Sequence, residues 1–125
     1  MSPAHIQRVR ELIYECLTAL QQTMHVRLTT KFLCTAYKQA HSESKTTESA
    51  ALAFAEKLQA AEDEDEANKL TQQDREGTRA FWIMAVVHWA EIDNELPRLV
   101  ESIGTNKPLL PYYVLAAWMI EALRE

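Results

Sequence analysis

Along most of this chain apolar residues return every third or fourth position, the spacing of one face of an α-helix. The clearest case opens the sequence. Ile6, Val9, Ile13, Cys16 and Leu20 form a stripe that Leu12, Leu17 and Met24 widen, while Arg8, Glu11, Glu15, Thr18 and Gln22 fall on the opposite side. Ser2 is placed to cap this helix, and Pro3 stands at its first position, where a missing N–H costs nothing.

Phe32, Leu33, Ala36, Tyr37 and Ala40 predict a second helix, entered at Thr29 and Thr30 and ending near His41, with Lys31, Lys38 and Gln39 outside. The polar string from Ser42 to Thr47 reads as a turn. Thr46 or Thr47 then caps a third helix that carries Ala51, Phe54, Leu58 and Ala61 inward. Its many alanines allow close approach of its neighbours.

In the run Glu62, Asp63, Glu64, Asp65, Glu66 like charges repel and no position is apolar, so it reads as a solvated helix end or an acidic connection over about 62–70. A fourth helix is expected from Thr71, with Asp74 in a capping-box-like place, to about Asp93. Pro97 fits the first turn of a short fifth helix, capped by Asp93 or Asn94 and closed by Gly104 in a left-handed conformation. Lys107 to Pro111 form the last connection, and Tyr112 to Leu123 the last helix. Neither strand alternation nor an internal repeat is present. The expected fold is all-α: an irregular five- to six-helix bundle, one domain over residues 1–125.

Two of these helices lack the single stripe that a surface helix needs. Phe81, Trp82, Ile83, Met84, Val86, Val87 and Trp89 point all round the fourth, and Tyr113, Leu115, Trp118, Met119 and Ile120 do so on the last. Leaving even three large apolar side chains in water forfeits roughly 5 to 9 kcal/mol against a total stability of about 5 to 15. Either both helices are core, or part of their surface is covered by a partner. The second reading makes Phe81, Trp82, Trp89, Tyr112, Tyr113 and Trp118 the candidate partner-binding residues, the partner being another protein or a second copy of the chain. Membrane spanning is excluded for the last helix, since Leu109 to Ile120 covers only about 18 Å of a hydrocarbon layer near 30 Å.

Composition narrows the chemistry. Glycine occurs only at Gly77 and Gly104, so glycine-rich phosphate-binding loops lose their basis. Cys16 and Cys34 stand at apolar helical positions and read as small core side chains, and no leader-like segment opens the chain; a cytoplasmic protein is expected. His88 and Glu91 share a helix face and could orient one another, but further ligands at helical spacing are lacking, and Asp93 and Glu95 are explained by capping. His5, His25 and His41 do not pair with the cysteines at zinc-finger spacing. No catalytic residue, metal, cofactor or small-molecule substrate is inferred, and the chain reads as a non-enzyme.

The net charge is −5, yet the N-terminal third is basic. Lys31, Lys38 and Lys45 recur every seven residues, with Arg27 just before them, so they share a face while helix persists. Such a stripe could follow a phosphate backbone, with Tyr37 stacking on a base, although the acidity of the whole chain opposes general nucleic-acid affinity. The Leu28-Thr29-Thr30 helix entry and the small all-helical build resemble the small helical subunits of RNA-guided defence complexes. Helix capping accounts for those three residues by itself, and no functional residue is carried across. Two functions follow: a non-enzymatic interaction protein (an adaptor, an assembly chaperone, or an immunity- or antitoxin-like inhibitor) using apolar helix surface; or a nucleic-acid-associated helical subunit of a larger complex, binding RNA or DNA through Arg27, Lys31, Lys38 and Lys45.

Overall fold

The N–H of His5 donates to Ser2 Oγ at 3.2 Å, so Ser2 caps the first helix as its sequence context predicts. The computed structural model describes residues 2–23, 38, 44–104 and 106–124. The described residues form six helices and no strand: α1 (Pro3–Thr23), α2 (Ser44–Ala60), α3 (Glu64–Gln73), α4 (Arg75–Val87), α5 (Trp89–Ile103) and α6 (Leu110–Leu123). The architecture is an all-α bundle. The helix expected between Thr30 and His41 lies outside the described residues, apart from Lys38, which is helical and exposed.

Helix α2 is the hub. Thr47, Ala51, Phe54, Ala55, Leu58 and Ala61 are buried along and just beyond it, and its packing against α4 and α6 is the most extensive in the molecule. Ala51 and Ala55 leave little bulk between helix axes, while Phe54 and Leu58 fill the space on either side; Phe54 meets Phe81 of α4 with ring centroids 5.4 Å apart. α6 is covered further by α5 and α1, and α4 meets α3, α5 and α6 in smaller contacts.

This arrangement accounts for the two helices without a stripe. α4 buries Gly77, Thr78 and every residue from Ala80 to Ala85. α6 buries Leu110, Tyr113, Val114, Leu115, Ala116, Trp118 and Met119. Each meets neighbours on several sides, so apolar residues all round the helix are needed to fill one continuous core.

Four boundaries differ from the sequence reading. Helix α2 begins at Ser44, so the string expected to be a turn is helical from there and neither Thr46 nor Thr47 caps it. The acidic run begins a helix: Asp63 is the N-cap of α3, its Oδ1 accepting the Glu66 N–H at 2.9 Å, and Glu66 Oε2 accepts the Glu62 N–H at 2.9 Å. Carboxylates are favoured at that end because the unpaired N–H groups and the helix dipole are positive there, which outweighs their mutual repulsion. Thr71 lies inside α3, and Asp74 is the N-cap of α4, accepting the Gly77 N–H at 2.8 Å. Finally, α4 stops at Val87, and Pro97 sits inside α5 on its exposed side instead of opening it. The buried stripe Ile92, Leu96, Leu99, Val100 runs straight across the proline, and this burial outweighs the one hydrogen bond that the missing N–H removes. Gly104 ends α5 with φ 85°, the positive value for which glycine was expected, its N–H donating to Val100 O at 3.0 Å.

Candidate functional site

A single residue, His88, joins α4 to α5. Its N–H donates to Met84 O at 3.1 Å, closing α4, and its carbonyl accepts the N–H groups of Glu91 and Ile92 at 3.0 Å, opening α5. No side-chain bond caps the start of α5. The imidazole instead lies with Nδ1 3.1 Å from Glu91 Oε2 and its ring centroid 5.6 Å from that of Trp118, tilted by 45°. The pairing of His88 with Glu91 is present, and no further ligand joins it: among the described residues no group of three or more His, Cys, Asp or Glu is arranged to hold a metal ion.

Around His88 the apolar run reaches the surface. Val86, Val87 and Trp89 are half-buried at the edge of the core, whereas Phe81, Trp82, Ile83, Met84 and Ala85 before them are buried. These three and His88 are consecutive along the helix junction, and all four are half-buried.

The six candidate partner-binding residues therefore divide. Phe81, Trp82, Tyr113 and Trp118 have relative exposures of 0%, 6%, 7% and 2%. They are covered by the chain's own helices, which corrects the expectation that they present surface: the alanine-lined α2 brings its neighbours close enough to enclose rings that sequence alone leaves without a partner. Phe81 and Trp82 stack edge to face at 5.3 Å, and the Tyr113 hydroxyl donates to Ala61 O, with Lys107 Nζ 5.2 Å from the Tyr113 ring. Trp89 and Tyr112 stay half-buried. Of the basic stripe, Lys38 is exposed; Arg27, Lys31 and the side chain of Lys45 lie outside the described residues.

Half of the described charge pairs link different helices or their caps. Arg10 of α1 meets Asp93 of α5, Lys57 of α2 meets Asp74 at 3.4 Å, and Arg124 meets Glu56 of α2. Arg98 of α5 lies 2.8 Å from Glu121 of α6 and 3.3 Å from Glu95. The hydrogen bond to Glu121, then its negative charge, raise the pKa of the Arg98 guanidinium above its ordinary value. These ties are invisible in sequence, where no spacing relates partners as distant as Arg10 and Asp93.

No helix among the described residues is long and apolar enough to cross a membrane. The chain matches no family model, no curated protein and no solved structure.

Proposed function

We propose that this chain acts as a non-enzymatic interaction protein, an adaptor, assembly chaperone or inhibitor, whose protein partner docks over the α4–α5 junction. The observation that carries the reading is the half-buried stretch Val86, Val87 and Trp89, where the apolar run of α4 emerges from the core beside His88. Tyr14 on α1 is the one exposed large hydrophobic among the described residues, and Ile6, Leu70, Ile103, Tyr112, Ile120 and Leu123 are half-buried elsewhere at the edge of the core.

The test is affinity capture from the native host with wild-type protein and the variants Val87→Glu and Trp89→Glu, alongside light scattering of each. Circular dichroism and a melting curve check that the variants remain folded. A partner, or a second copy, that is bound by wild type and lost in both folded variants supports the reading. Undiminished capture by both variants, or a strict monomer that captures nothing, overturns it. Binding of nucleic acid that weakens steeply with salt and disappears on Lys31/Lys38 charge reversal would instead favour the basic face.

A further inference from the structure

We draw no further inference here: the strongest candidate, the open groove of about 360 Å³ between α2 and α3 lined by Lys57, Ala60, Ala61, Glu66, Lys69 and Leu70, carries nothing because its surface lysines stand beside the acidic start of α3, so no ligand charge is selected, and nothing in the structure shows what covers it.

Discussion

Arg10 on α1 and Asp93 on α5, 83 residues apart in sequence, meet side by side, with Arg10 Nε 2.8 Å from Asp93 Oδ1 and a terminal guanidinium nitrogen 3.2 Å from Oδ2. Two contacts from one guanidinium fix the pair's geometry as well as its charge. Asp93 Oδ1 is shielded from water and makes no aligned hydrogen bond to the described residues, and the Arg10 cation beside it compensates its burial.

Arg10→Ala should therefore cost about 1 to 2 kcal/mol, more than the usual fraction of a kcal/mol for an exposed pair, because it strands a shielded oxygen. Urea denaturation of Arg10→Ala, Asp93→Ala and the double variant checks this. Strict additivity of the two single costs would show that the pair does not couple α1 to α5.

The core assignment of α6 predicts a contrast between two tryptophans. Trp118→Ala should cost about 3 to 5 kcal/mol, enough to unfold much of a marginally stable population, whereas Trp89→Ala at the half-buried junction should cost about 1 to 2. Similar losses for the two, read from melting curves, would mean that the junction is as enclosed as the core.

Trp82 poses a different question, since its indole N–H is buried with no acceptor among the described residues. An unpaired buried donor costs about 1 to 3 kcal/mol, which Trp82→Phe would recover while losing part of the ring's packing. The two effects offset, so the net change should stay within about 1 kcal/mol, against about 3 to 5 for Trp82→Ala. A loss above 3 kcal/mol for the phenylalanine variant, measured by denaturant titration, would show that the N–H is satisfied in solution.

Gly77 and Asp74 should be coupled as well. A Cβ built on Gly77 lies 2.4 Å from Asp74 Oδ2, so Gly77→Ala must displace the Asp74 carboxylate that caps the helix, and the expected outcome is that the roughly 0.5 to 1 kcal/mol that alanine ordinarily gains in a helix becomes a loss. In an Asp74→Ala background the obstruction is gone, and the same substitution should stabilise. A destabilising Gly77→Ala in both backgrounds would point to some other constraint at the glycine.

Local signals carried much of the helix map. Ser2 with Pro3, the stripe containing Val9 and Ile13, and the turn at Gly104 each depend on residues within a few positions of one another, and each appears where the local pattern places it, whereas α2 keeps its expected inward face but begins at Ser44, ahead of the threonines expected to cap it. The breaks at Asp74 and His88 were harder to see, because residues on both sides of each break pack into the same core and the apolar pattern runs through without pause. Pro97 was misplaced for the converse reason: its local rule favours a helix start, but burial of Ile92 and Leu96 before it holds the helix together.

By itself, then, the sequence determined that the chain is helical, where most of its helices lie and which residues are too apolar to remain in water, since these follow from periodicity, capping and transfer free energy. It left open whether the all-round apolar helices were core or interface. Only the tertiary structure decided that: enclosure of Trp118 and Phe81 depends on α2 and its neighbours closing round them, a relation between segments far apart in the chain. The same packing decided that Val86, Val87 and Trp89 stay at the surface, because the direction in which a junction leaves the core is set by how the two helices pack and not by the composition of either.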